Sequence, residues 1–249
     1  MRSTIIHPLS ADQLLHVWEL VQARSPVQRA LTLLAAACPD SAPDALADLS
    51  IGQRNLRLLR LRALTFGTEL TCFAVCPRCS GQAELTFDVD DITVETIAEP
   101  AATVTVWSKE FVVEARVPTS RDLLAVADSG DVTSIRHRLL DRCIMSAHYH
   151  AEPVTTASLP ENVIAAIGQH IAEADVHAEI RLTLTCPACR HPWEELFDVL
   201  TYVLIEIDAW ANRLLRDVHD LASTYGWREA DILAMNPIRR RRYLTMVDA

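Results

Sequence analysis

Glycine is scarce, with six copies in 249 residues. No Gly-x-Gly-x-x-Gly turn, Walker-type loop or Gly-x-Ser-x-Gly elbow occurs, so the phosphate cradles of nucleotide enzymes and the exposed serine of hydrolases have no sequence behind them. Lysine is nearly missing as well: Lys109 stands alone, and the other basic residues are arginine. No apolar run approaches the roughly 18 residues of a membrane span. The opening Met1-Arg2-Ser3-Thr4-Ile5-Ile6-His7-Pro8 has no extended apolar core of the kind a secretory signal needs. No Gly- or Ser-rich linker divides the chain. The formal charge of −10 runs against the phosphate neutralisation that nucleic-acid binding relies on. These absences lead to the expectation of a cytoplasmic chain with no membrane insertion, no small-molecule substrate and no general affinity for nucleic acid.

Cysteine, by contrast, is well supplied, with seven copies. In a reducing compartment, Cys-x-x-Cys pairs read as metal or redox chemistry before disulfides. Cys76-Pro77-Arg78-Cys79 recurs 110 positions later as Cys186-Pro187-Ala188-Cys189, and Phe87-Asp88-Val89 recurs at the same offset as Phe197-Asp198-Val199. Two such pairs supply the four thiolates of a closed tetrahedral zinc site. The 106 residues between Cys79 and Cys186 weaken the pairing, and the matched flanks restore it. Catalytic zinc keeps an open position and usually has histidine or carboxylate ligands, so four cysteines point to one structural Zn2+ ion. Three alternatives stay open: two reduced pairs without metal, His191 substituting as a ligand, and a thiol oxidoreductase. The last is disfavoured because strands flank both motifs where a redox cysteine would open a helix.

Around these motifs the pattern is mostly helical. Ser10-Ala11-Asp12-Gln13, Ser25-Pro26-Val27-Gln28 and Ser50-Ile51-Gly52-Gln53 are capping boxes. The helices they open would bury Leu14, Trp18 and Val21, then Val27, Ala30, Leu31 and Leu34, then Leu56, Leu59 and Leu64, with Gly67 as the last stop. A turn at 39–43 precedes a short helix. Alternation places strands before and after each Cys pair, with Asp88, Asp90 and Asp91 on an acidic outer face. Two further strands fall at Val104–Trp107 and Phe111–Val117, joined by a turn at Ser108-Lys109-Glu110. Helices follow from Pro118-Thr119-Ser120-Arg121-Asp122 to about Ala127, over Ile135–Ala147, and from Ser158 to about Ala174. A long helix from Val199 to Tyr225 turns Trp210 and Leu214 inward and stops at Gly226. Two short helices anchored by Trp227, Ile232 and Leu233 close the chain.

Other reactive groups read as structural. Cys38, Cys72 and Cys143 lie on apolar faces as small hydrophobes. His148-Tyr149-His150 reads as a solvated turn, and His137, His170 and His177 lack carboxylates at ligand spacing. Arg239-Arg240-Arg241-Arg242 reads as a solvated helix face, with contact to RNA or an acidic protein as its functional alternative.

Several segments, taken in order, are similar to one family. They are Arg57-Leu58-Leu59-Arg60-Leu61-Arg62 with Phe66-Gly67, the two Cys-Pro-x-Cys motifs, and Pro118-Thr119-Ser120-Arg121-Asp122-Leu123-Leu124. Ala172-Glu173-Ala174-Asp175 and Tyr225-Gly226-Trp227-Arg228-Glu229-Ala230-Asp231-Ile232-Leu233 complete the set. From about residue 50 to the end the chain resembles T4-type phage baseplate hub assembly chaperones, in the version found with phage-tail-like contractile injection systems. The resemblance implies a non-enzymatic protein that binds baseplate hub or spike proteins and becomes part of the assembled baseplate or only helps to build it. It supplies no catalytic residues. A zinc-ribbon nucleic-acid-binding protein is the runner-up.

The expected fold is α+β: predominantly helical, with a split zinc ribbon of two Cys-Pro-x-Cys β-hairpins and a central α/β insertion. The expected divisions are an N-terminal helical region over 1–68, the ribbon over 69–91 and 179–199, the insertion over 92–178, and a C-terminal helical region over 200–249.

Overall fold

The computed structural model describes residues 5–93, 103–108, 110–128 and 130–247. Met1–Thr4 of the opening segment and the turn residue Lys109 lie outside them.

Helices α1 (Ala11–Val21), α2 (Pro26–Ala37), α3 (Pro43–Ala47) and α4 (Ile51–Phe66) come first. The Oγ atoms of Ser10 and Ser50 accept the N–H of Gln13 and Gln53, and those glutamine side chains, like that of Gln28, reach back to the N–H of the cap serine. The boxes satisfy N–H groups that the helix itself leaves unpaired. Gly67 ends α4 with φ +99°, a conformation that glycine adopts at little cost. The buried faces differ from the periodic reading. In α2 the buried residues are Ala30, Leu33, Leu34 and Ala37, with Val27 and Leu31 only half-buried. In α4 they are Leu58, Leu59 and Leu61 together with Arg54 and Arg62, while Leu64 is exposed. The reason is that α4 is enclosed on several sides, by α2, by a later long helix and by the turn at Val176–Ala178. A single-stripe pattern does not describe a helix with that many neighbours.

Strands β1 (Glu69–Val75) and β2 (Gln82–Asp88) form the first hairpin, and α5 (Val89–Thr93) follows directly. The expected strand therefore ends at Asp88 and does not run through Val89 to Asp90. Asp88 turns the chain by accepting the Asp90 N–H, and the Val89 N–H donates to the Thr68 carbonyl. Asp90 and Asp91 belong to a helical turn instead of a strand face, and only Asp88 stays at the end of the strand.

The middle of the chain builds a sheet in the order β3 (Thr103–Ser108), β4 (Phe111–Arg116), β5 (Ile144–Tyr149), β6 (Glu152–Pro153). Helices α6 (Ser120–Val126), α7 (Val132–Cys143) and α8 (Glu161–Ala174) accompany it, and α8 lies against β3 and β4. The expected helix over Ile135–Ala147 stops at Cys143, and Ile144 to Tyr149 pairs with β4. Pairing with a strand some 30 residues earlier overrides the local helical spacing. Val106, Val113, Ala147, Val163 and Ile167 form this unit's own core.

The second hairpin, β7 (Ile180–Thr185) with β8 (Pro192–Phe197), leads into α9 (Val199–Tyr225). Asp198 caps α9, and Gly226 ends it in the left-handed region. Helices α10 (Glu229–Leu233) and α11 (Pro237–Val247) fold back on its far half around Leu214, Leu221 and Ile232. The main core joins α1–α4, both hairpins and the first half of α9. Trp210 touches this core and the C-terminal one. The architecture is α+β and mainly helical. Among the described residues no helix is long and apolar enough to cross a membrane.

Helix α4 is where the parts meet. The Gly52 N–H donates to the buried Asp175 carboxylate at 2.9 Å, and Asn55 Nδ2 donates to the His177 carbonyl at 2.9 Å. The Ile51 N–H donates to the Pro118 carbonyl at 3.3 Å. At the other end Arg62 grips Glu206 of α9 through two bonds of 2.7 Å and also donates to the Gly67 carbonyl. Segments singled out in the sequence at 57–62, 118–124 and 172–175 thus converge on one helix.

Candidate metal centre

Each cysteine pair sits in a turn that folds onto its own backbone. The Cys76 N–H donates to the Gly81 carbonyl and the Ser80 N–H to the Cys76 carbonyl, both at 2.9 Å. In the second turn the Cys186 N–H donates to the His191 carbonyl at 3.0 Å and the Arg190 N–H to the Cys186 carbonyl at 2.9 Å. Ser80 and Arg190 both take left-handed backbone, with φ 58° and 56°. Strand register repeats too: Leu70 faces Phe87 as Ile180 faces Phe197. Every one of these correspondences is offset by 110 residues.

The two turns face each other across an approximate twofold axis. Cys76 Sγ lies 3.7 Å from Cys189 Sγ, and Cys79 Sγ lies 3.6 Å from Cys186 Sγ. All four sulfurs fall within 4.8 Å of one another. Tetrahedral coordination with metal–sulfur bonds of about 2.3 Å places sulfurs about 3.8 Å apart, so the spacing fits one ion. The equivalent rings of Phe87 and Phe197 meet edge to face at 5.6 Å beneath the turns and pack the axis. Cys76 and Cys186 are buried, Cys189 is half-buried and Cys79 reaches solvent.

The electrostatics suit a cation. The Cys189 N–H points at Cys186 Sγ at 3.5 Å, and this bond draws the Cys186 thiol down to about 6. At Cys79 the Gly81 N–H favours the thiolate, but hydrogen bonds shared with Cys189, Cys186 and Cys76 outweigh it and push the thiol up to about 12. Four thiolates this close repel one another unless a cation sits among them. A soft ion with a tetrahedral preference matches this donor set.

All four cysteines expected from the sequence are brought together. His191 is not among the clustered side chains and contributes its carbonyl to the turn. Cys38, Cys72 and Cys143 stay outside the cluster, and burial pushes each thiol up, Cys143 to about 11. His148 and Tyr149 lie in β5, and only His150 occupies a turn, with Nε2 3.0 Å from Glu110 Oε1. Arg240 departs from the solvated face expected for its run: it is buried, with Nε 3.5 Å from Asp217. Gly81 was not anticipated. A Cβ there would lie 3.2 Å from Cys79 Sγ and 3.9 Å from Cys186 Sγ, a tight fit against the cluster, although the second turn carries His191 at the matching position. The signal for it was a small residue placed against His191 at the 110-residue offset.

A family model described as T4 bacteriophage base plate protein matches residues 14–202, about three quarters of the chain, including both hairpins and all four clustered cysteines. No curated protein and no solved structure matches.

Proposed function

Because the chain belongs to the T4 bacteriophage base plate protein family, we propose that it is a non-enzymatic assembly chaperone or component of the baseplate hub in a contractile injection system, braced by one structural zinc ion. The observation that carries the zinc reading is the closed set of Cys76, Cys79, Cys186 and Cys189, with sulfur pairs at 3.6 and 3.7 Å. Zinc has no redox chemistry of its own and accepts four thiolates in a tetrahedron. A fully ligated ion has no position left for water or substrate, so its contribution is to folding.

In this reading the ion fastens β1–β2 to β7–β8 and so fixes both ends of the central unit. The Asp175 and Pro118 contacts then seat that unit on the start of α4. The product is a rigid surface offered to hub or spike proteins of the tail.

Two measurements test the proposal. Metal analysis of the purified chain should give one zinc per chain, and Cys186→Ser should lose the metal and lower Tm by on the order of 10 °C. A variant that kept its full Tm in excess zinc would end the shared-site reading. Co-expression with the hub and spike proteins of a contractile tail should yield a defined complex by size-exclusion chromatography. Separate elution of every pair, with tail assembly unimpaired when this chain is deleted, would end the baseplate-hub reading.

A further inference from the structure

The duplicated hairpin contains its own control. On the outer face of the first copy, Phe73 is 70% exposed and Val75 is 57% exposed. Glu84 stands directly across from Phe73, and Glu69 lies further along the same face. At the same positions 110 residues on, the second hairpin carries Thr183 and Thr185. Its acids Glu179 and Glu194 both pair with Arg181, where the first hairpin has Thr71. Among the described residues no ion pair involves Glu69 or Glu84, and Leu196 is a lone exposed apolar group on the second copy. One backbone in one register is therefore built with either surface. Folding does not require the apolar, acidic version, and an exposed apolar patch with a polar rim marks a contact site.

A face of matching character lies elsewhere on the molecule. Along α11, Ile238 (75% exposed) and Met246 (63% exposed) are eight residues apart, with Arg242 between them on one stripe and Arg239 and Arg241 beside it. The described helix carries no acid, in a chain of net charge −10. The two faces cannot meet within one molecule. The Tyr202 hydroxyl, at the start of α9, donates to the Thr71 carbonyl and fixes the first hairpin there, whereas Arg240 of α11 pairs with Asp217. Fifteen residues of helix, about 22 Å, separate these anchors. Two copies of the hairpin face would set acid against acid, so pairing like with like is disfavoured.

We propose that the outer face of the first hairpin docks α11 of a second copy of this chain, giving a head-to-tail contact. Phe73 and Val75 receive Ile238 and Met246, and the acids face the arginines. Such a heterologous contact repeats until it closes a ring or extends as a filament. The inference depends neither on the metal nor on the identity of the hub partner.

Sedimentation velocity on the full chain across a micromolar concentration series tests it. Wild-type protein should associate, more weakly at high salt. The Phe73→Thr/Val75→Thr variant copies the second hairpin, so it should fold normally, and it should weaken association at least about tenfold. Glu84→Arg and Arg242→Glu should each do the same alone. Mixing those two should restore head-to-tail assembly with the variants alternating, because the two altered faces complement each other and the remaining hairpin and α11 are both unchanged. A wild-type chain that stays monomeric at every concentration would overturn the proposal. So would association that survives Phe73→Thr/Val75→Thr, or that responds to it and not to Arg242→Glu.

Discussion

The carboxylate of Asp175 and the backbone of Gly52 are so close that a Cβ at 52 would lie 2.0 Å from Asp175 Oδ1. Gly52→Ala must break the bond that satisfies the start of α4, and the cost should be about 2–3 kcal/mol after the gain in helix propensity. Gly168 in α8 has nothing within 4 Å of its missing Cβ, so Gly168→Ala should stabilise by about 0.5–1 kcal/mol. Urea denaturation of the two variants should show these opposite signs. Asp122 is a second such residue. Burial alone would raise its carboxyl, but hydrogen bonds from Arg116 and Thr119 prevail and hold it well below the usual carboxylate range. Arg142 Nε adds a third partner at 2.9 Å. A depressed folded pKa contributes stability that is complete above the unfolded value near 4 and is lost as pH falls below it. Asp122→Asn should therefore cost about 2–3 kcal/mol at pH 7, less than a fully buried pair because both arginines reach solvent, and should flatten the stability-versus-pH curve below about pH 4. A mutant curve parallel to the wild type there would contradict this. The contact between Gly52 and Asp175 was not readable beforehand. Asp175 pairs with a residue 123 positions away, and nothing local at Gly52 separates a packing glycine from a helix irregularity.

At the scale of elements, the hairpins should respond to metal removal before the rest. Chelation frees the Cys76–Cys189 and Cys79–Cys186 contacts, while the Leu214, Leu221 and Ile232 core has no share in them. Amide exchange should accelerate across 69–88 and 180–197 and stay nearly unchanged in α10. Equal acceleration in α10 would show the clasp to be coupled to the whole chain. The hairpins and caps were legible because their determinants are local: alternation of period two, Ser-x-x-Gln, and a motif written twice. Strand β5 was not, since its alternation is weak and β4 supplies the decision. The buried arginines of α4 were missed for the same reason: the partner of Arg62 is Glu206, 144 positions on. In α11 the four arginines look alike in sequence, and only the fold separates buried Arg240 from its exposed neighbours.

For the whole molecule, the joint to examine is Trp210, which packs into both the main core and the C-terminal one along α9. Trp210→Ala should cost about 3 kcal/mol and weaken the coupling between the two. Calorimetry should then resolve two transitions where the wild type shows one. A single transition at lower temperature would mean that continuity of α9 alone couples the halves. The α+β class and the convergence of four cysteines follow from sequence pattern. How the central unit is seated does not, because that depends on contacts to α2, α3 and α4 with no local signature.

The 110-residue spacing of the two cysteine turns also has a meaning in time. At typical synthesis rates of about 5–20 residues per second, the first hairpin leaves the ribosome roughly 5–20 s before the second exists. Through that interval Cys76 and Cys79 are a half-site with two thiols waiting. The set closes only after everything between the turns has been made and brought the second pair into reach. Convergence of the four cysteines is thus a record that the whole middle of the chain has been translated and folded. A nascent chain stopped before Cys186 would carry Cys76 and Cys79 without either of their partners.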